Sequence, residues 1–391
     1  MIINDSIEHT LVAGGRNLLC LWPRHGGLWR WGNEMLAGFV ESPCAYHHPQ
    51  EAARDLGGVW KRGYLRLRRS VDGGKTWQDD GRVFDHSLPV EKQRQILRLD
   101  EYRGHDVPDR EAMALDSPDG ILIMGHAWCG DEIRERRLRK SLPFCFRSTD
   151  RGRHWESAPS VLWPHHTGNL IEAANNTLNM GNGRFVCWLV GCDGMEGVDA
   201  VVRYHGPLLY LSEDHGAQWS FYGEICRDPE GRIAFAYPQI VPLPSGRWLC
   251  FVNAWHQNGS VRLSWTALCH SDDQGLTWSA PRRIHMWSFA PFPLRLSDGR
   301  IVLLYVRNAP DPTGLFAMIS EDDGASWSRP QCLRNDALPA GPRSCMNDGF
   351  PVAVEMDGGR VFTAYCWQHE DEDVPWPGGR SFIGGTFFAV R

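Results

Sequence analysis

No run in this chain approaches the roughly 20 consecutive apolar residues that a membrane-spanning helix requires, so no membrane partner is expected. The opening segment, Met1-Ile-Ile-Asn-Asp-Ser-Ile-Glu-His9, has no basic stretch leading into an apolar one. A secretory leader is therefore not visible, and a cytoplasmic location is expected. An exported form with its leader removed would read the same. The 12 cysteines include no CxxC pair, and several lie within apolar runs, such as Cys187 and Cys250. That pattern predicts buried, reduced thiols rather than a zinc centre. Basic residues are not in excess either: 41 Lys and Arg stand against 47 Asp and Glu, a formal charge of −6. A phosphate-tracking surface is disfavoured, so no nucleic-acid partner is expected, although a local basic pocket remains compatible with an acidic whole.

Tryptophan and the turn formers are plentiful: 18 Trp, 41 Gly and 25 Pro. Many short strands joined by tight turns would use such a composition. The tryptophans recur in a pattern, Ser-x-Asp-x-Gly-x-x-Trp, which occurs five times. The copies begin at Ser70, Ser148, Ser212, Ser271 and Ser320, and end at Trp77, Trp155, Trp219, Trp278 and Trp327. The Asp can accept hydrogen bonds from turn N–H groups. The Gly can take the positive φ of a hairpin turn. The Trp buries a large ring beneath the turn. No bidentate Glu closes the loop as in a calcium-binding helix–loop–helix, so a metal-free turn is expected.

Between these motifs runs a second pattern of strand, Gly-containing turn and strand. Examples are Tyr237 to Phe251 and Phe292 to Tyr305. Six such hairpins begin near Gly27, Ala112, Asn176, Tyr237, Phe292 and Phe350, and the first five lead into a motif. Four antiparallel strands per unit make a propeller blade. An all-β, six-bladed β-propeller over residues 1–391, as one domain, is the predicted fold. The sixth unit lacks an outer strand, which the N-terminal segment from Ile2 to Val12 can supply. That closure removes an open sheet edge.

Five Asp boxes on six blades resemble the sialidase (neuraminidase) superfamily over essentially the whole chain. The resemblance implies an active site at one mouth of the propeller, with three arginines clamping a sugar carboxylate, a Tyr–Glu nucleophile pair and an Asp acid. Arg24 corresponds to the arginine that opens blade one, and Arg307 to the one ending the second strand of blade five. The third clamp position, in blade four, is Asn253, followed by Trp255 and His256. Tyr237 stands where the Glu is expected, and Phe350 where the nucleophilic Tyr is expected. The resemblance thus implies the scaffold without the usual nucleophile pair. The acid would come from the long blade-one loop, whose only Asp is Asp55.

Other mouth residues can carry chemistry. His48 can serve as a general acid or base near neutral pH. Asp109 is expected just before the inner strand of blade two, Glu172 at the start of blade three and Asp348 at the start of blade six. A glycoside hydrolase acting on an acidic sugar, sialic or uronic, is the leading expectation, with Asp55, Asp109, Glu172 and Asp348 as acid and base candidates. Arg24 and Arg307 would fork onto the sugar carboxylate, and Tyr237, Trp255, Asn253 and His256 would line the site. Two alternatives remain open. A uronate lyase would use Tyr237 with His48 or His256 as its base. A glycan-binding propeller would keep the scaffold without chemistry. No cofactor is called for.

Overall fold

We describe a computed structural model covering residues 2–52, 62–101, 109–128, 141–163, 169–171, 177–193, 203–259, 263–308, 312–336, 349–369, 373–374 and 379–390. Strands form six sheets arranged as a six-bladed propeller. The chain starts with β1 (Ile2–Ala13). Blade one then holds β2 (Leu18–Leu21), β3 (Leu28–Trp31), β4 (Glu34–Pro43), β5 (Tyr64–Ser70) and β6 (Gln78–Asp85). Its inner strand is split into β2 and β3, which both pair with β4. Blade two holds β7 (Ile121–Trp128), β8 (Ser141–Ser148) and β9 (Ser160–Val161). Blade three holds β10 (Asn169–Ile171), β11 (Thr177–Gly181), β12 (Arg184–Asp193), β13 (Arg203–Ser212) and β14 (Ser220–Glu224). Blade four is β15 (Ile233–Pro242), β16 (Trp248–His256), β17 (Trp265–Ser271) and β18 (Arg282–Met286). Blade five is β19 (Phe289–Arg295), β20 (Ile301–Arg307), β21 (Gly314–Ser320) and β22 (Gln331–Arg334). Blade six is β23 (Val352–Met356), β24 (Arg360–His369) and β25 (Arg380–Val390).

The expected closure is present. β1 pairs antiparallel with β25, from Ile2 opposite Val390 to Ala13 opposite Ile383, and completes a four-stranded sixth blade. The β25 edge, which would otherwise be open, is thereby paired.

The five repeats fold as one turn. In the first, Ser70 Oγ donates to Asp72 Oδ1 at 2.8 Å and accepts the Gly74 N–H at 2.8 Å. Asp72 Oδ1 also accepts the Lys75 and Thr76 N–H groups at 3.1 and 2.9 Å. The Trp77 indole N–H donates to the Gly74 carbonyl at 2.9 Å. The Ser–Asp bond recurs at 2.7–2.8 Å in the other four copies. The motif glycines all have positive φ, from 77° at Gly152 to 94° at Gly275. Side-chain hydroxyl donors Thr76, Thr277 and Ser326, together with turn N–H groups, hold Asp72, Asp273 and Asp322 down to about 2. These carboxylates are spent on the turns.

Blade two departs from expectation. Residues 109–120 form no strand. Their backbone is satisfied by side chains instead: the Glu111 carbonyl accepts Arg147 Nη2 at 2.9 Å, and the Leu115 N–H donates to His215 Nδ1 at 3.2 Å. Arg147 is itself buried in a forked pair with Glu156, at 2.7–3.1 Å. Apolar clusters fill the seams between blades, for example Leu65, Leu67, Phe84, Ile123 and Phe144 between the first two. Nine of the ten described cysteines are buried.

Strand direction defines the mouth. Inner strands begin where second strands end: Leu18 opposite Pro43, Ile233 opposite His256, Phe289 opposite Val306. The Asp-box turns connect third to fourth strands at the other end.

Candidate active site

Four inner strands are kinked at equivalent places. Trp22, Tyr237, Ala290 and Phe350 have φ of 53°, 53°, 49° and 46°, and each is followed by a proline: Pro23, Pro238, Pro291 and Pro351. Positive φ in bulky residues is strained and persists only where its surroundings over-determine it. In blades four and five the kink appears as a register shift, between Ala236 and Gln239 and between Phe289 and Phe292. Such bulges bend a strand and re-aim its side chains. In blade one the kink opens a single helical turn, α1 (Pro23–Gly26), which lies flat on β4. Gly26 permits that approach, since a Cβ there would fall 1.9 Å from the Gly38 carbonyl carbon.

The kinks bring aromatic rings from blades four, five and six together. The Tyr237 ring lies 5.1 Å from Phe350 and 5.2 Å from Phe289, edge to face, and 6.3 Å from Trp255, stacked. Phe289 and Phe350 are 5.6 Å apart. Tyr237 is the half-buried member, and the other three are buried. The two positions that would carry a Glu–Tyr nucleophile pair are therefore in contact here, as Tyr237 against Phe350. A phenyl ring has no nucleophilic atom, so Tyr237 and Phe350 do not form such a pair.

Arg24 does not face an open pocket. It is 2% exposed, and its Nη2 donates to the carbonyls of Ala290 at 2.6 Å and Pro291 at 2.8 Å. Its guanidinium carbon sits 5.6 Å from the Phe350 ring centre. Asn253, fully buried, accepts the Ala290 N–H on Oδ1 at 2.7 Å. Blades one and four thus grip both sides of the blade-five kink. Through these atoms both side chains brace the blade-five kink from beneath. Arg307 is half-buried, 5.3 Å from the Phe316 ring centre, and lies beside His285, whose pKa is lowered by burial and by Arg307.

Three further expected residues lie on the surface. His256 is exposed, with its ring 5.5 Å from Trp265. His48 is exposed, its carbonyl accepting the Glu51 N–H at 3.0 Å. Asp109 is exposed, and its carbonyl accepts Arg98 Nη1 at 3.0 Å. Asp55, Glu172 and Asp348 lie outside the described residues. Among the described residues no group of three His, Cys, Asp or Glu could hold a metal ion, and no helix is long and apolar enough to cross a membrane.

Three buried histidines were missed by sequence reasoning. His25 on α1 packs 5.9 Å from His126 of β7 and 5.9 Å from Phe350. His86, after β6, lies in the same seam. Burial pushes His126 down to about 3, and burial together with His126 pushes His86 well below its ordinary value. The one available signal was His126 standing in the apolar run from Ile121 to Trp128.

Fold and mouth define an Asp-box propeller of the sialidase-like type. The chain belongs to the BNR repeat-like domain family, whose profile matches residues 145–372. Among solved structures it resembles a protein of unknown function from Dyadobacter fermentans, with 20% identity, 99% of each chain covered and a TM-score of 0.67. It also resembles an α-L-arabinanase from Penicillium chrysogenum solved with arabinobiose (13% identity, 98% of each chain, TM-score 0.57). A third is the GH93 α-L-arabinofuranosidase of Fusarium graminearum, also with arabinobiose (11% identity, 100% of this chain and 98% of that one, TM-score 0.57). At these identities the likeness establishes the fold. No curated protein matches the chain.

Proposed function

We propose that this chain is a glycoside hydrolase, a single domain over residues 1–391, that holds a saccharide at the propeller mouth. The observation that carries the reading is the aromatic floor of Tyr237, Trp255, Phe289 and Phe350, gathered at one place by strained kinks in separate blades. Sugar C–H faces pack on such rings, and strain of this kind concentrates at functional sites. The arabinan-degrading neighbours with the same scaffold support a glycosidase. Tyr237 supplies the one hydroxyl on the floor. Asp55, Asp109, Glu172 and Asp348 are the candidates for acid and base, acting directly on the glycosidic bond and water without a nucleophile pair.

The test is a screen of aryl arabinofuranosides, sialosides and glucuronides against the wild type and the Asp55→Asn, Glu172→Gln and Asp348→Asn variants. Turnover of one substrate class, reduced at least 100-fold by one or more variants, is expected. A near-ultraviolet-absorbing unsaturated product would indicate lyase chemistry instead. The contact of Tyr237 with Phe350 favours a second reading, glycan binding without catalysis. Calorimetric binding with no product from any substrate would establish it and overturn the hydrolase.

A further inference from the structure

Blade four carries three tryptophans at its mouth end, and they differ in what covers them. Trp255 stacks on Tyr237 in the floor. Trp265, half-buried, has the His256 ring at 5.5 Å and the Arg283 guanidinium at 5.2 Å. Trp287 is 40% exposed, and among the described residues its indole makes no hydrogen bond and no ring or cation contact. It stands between β18 and β19, where the chain reaches the mouth and turns back: Met286 is opposite Trp265, and Phe289, two residues on, belongs to the floor. Two residues span at most about 7 Å, so Trp287 follows the floor at a step on the order of one sugar unit. Its backbone is strained in the same sense as the floor kinks, with φ of 53°. No proline follows it; Ser288 does. Buried side chains hold this turn instead. Ser264 Oγ donates to the Ser288 carbonyl at 2.8 Å, and the Thr266 and Ser288 hydroxyls bond at 2.6 Å. Leu263, 57% exposed, precedes Ser264 and adds a second apolar side chain to this rim.

We propose that Trp287 is a rim platform on which a second sugar unit stacks, so that the mouth takes an oligosaccharide rather than a single sugar. The first unit lies on the floor, and the chain leaves it across the β18–β19 connection. The indole presents a large apolar face on only two side-chain torsions, so little freedom is lost when a sugar C–H face covers it. The held Ser288 fixes the backbone beside it before any ligand arrives, which is the preorganisation that a binding position requires. The inference rests on the carbohydrate reading of the mouth and adds to it the length of saccharide that the site favours. Removing roughly 50–60 Å² of ring face from water is worth about 10-fold in affinity.

The test is a glycan array carrying mono-, di- and tetrasaccharides of arabinose, xylose, galacturonate and sialic acid, probed with the full chain. Calorimetry then measures the sugars that bind, for the wild type, Trp287→Gly and Trp287→Phe. The disaccharide should bind about 10-fold more tightly than the monosaccharide of the same sugar. Trp287→Gly should cut that ratio to about 2-fold or less and leave the monosaccharide affinity unchanged. Trp287→Phe, which keeps a ring, should preserve most of the ratio. Glycine accepts a φ of 53° without strain, so the glycine variant should fold, as a thermal scan will show. A ratio that Trp287→Gly leaves intact, an equal loss for mono- and disaccharide, or a phenylalanine variant as weak as the glycine one would each overturn the proposal. Binding without product from any substrate would overturn the hydrolase alone. Binding of no saccharide would overturn the carbohydrate reading of the mouth and this inference with it.

Discussion

Acidification from pH 7 to pH 5 should destabilise the protein through its buried histidines, and His126 gives the cleanest case. It is 2% exposed, and burial holds its folded pKa at about 3, against about 6.5 in an unfolded chain. The groups facing it are also histidines, His25 and His86, with Arg24 next to His25 in the chain. Below pH 6.5 the unfolded chain binds a proton at this position and the folded chain does not. Stability is therefore fully present above pH 6.5 and is lost as pH falls toward the folded value. Between pH 7 and pH 5 the loss from this one ring is about 2 kcal/mol, and it scarcely changes if the folded value lies anywhere below about 4. His86 acts in the same direction. The Asp-box carboxylates Asp72, Asp150, Asp273 and Asp322, held at about 2, do not titrate in this window. Urea titrations of wild type and His126→Gln at both pH values, followed by tryptophan fluorescence and circular dichroism, measure the difference. The variant should lose about 2 kcal/mol less than wild type on acidification. Equal losses in the two proteins would refute a buried neutral His126.

Deleting residues 2–12 strips β1 from β25 and reopens the sixth blade, so the melting temperature should fall on the order of 10 °C, as a thermal scan will show. Arg147→Met leaves the Glu156 carboxylate buried without its forked partner, and should cost about 3–5 kcal/mol by chemical denaturation. Arg147→Met with Glu156→Leu should recover much of that loss, since the buried charge goes with its partner. Arg24→Met removes the buried donor from two carbonyls at the blade-five kink, at a cost of about 2–4 kcal/mol by the same measurement. Were Arg24 instead an exposed sugar ligand, its loss would alter binding with little effect on stability. Gly38→Ala should destabilise by more than about 2 kcal/mol, because its Cβ would fall 2.5 Å from the Gly26 carbonyl oxygen.

The fold was legible because its signals are local. Ser70, Asp72, Gly74 and Trp77 lie within eight residues, and each satisfies another, so the turn is written in contiguous sequence and repeated until chance is excluded. Closure by β1 was legible for a related reason: the sixth hairpin had no outer strand, and an open edge needs a partner. Blade two was misread because pattern alone does not reveal side chains arriving from elsewhere. Arg147 and His215 satisfy backbone groups of Glu111 and Leu115, and take the place of a ladder there.

The mouth was legible only as a set of positions. Resemblance pointed to Tyr237 and Phe350 as neighbouring mouth positions, and their rings lie 5.1 Å apart. What each side chain does there is decided by long-range geometry that no spacing encodes. Arg24 and Asn253 lie 229 positions apart in the chain and meet at one residue, Ala290, which has a positive φ before Pro291. An arginine in such a place reads from sequence as a carboxylate clamp. Its 2% exposure and two carbonyl partners make it a brace. Arg16 and Arg380, near opposite ends of the chain, meet at one carboxylate, Asp373, through the closure of β1 on β25. The ring closure that completes the sixth blade thus also assembles this ion-pair cluster, and loss of β1 should separate Arg16 from Asp373 along with lowering stability.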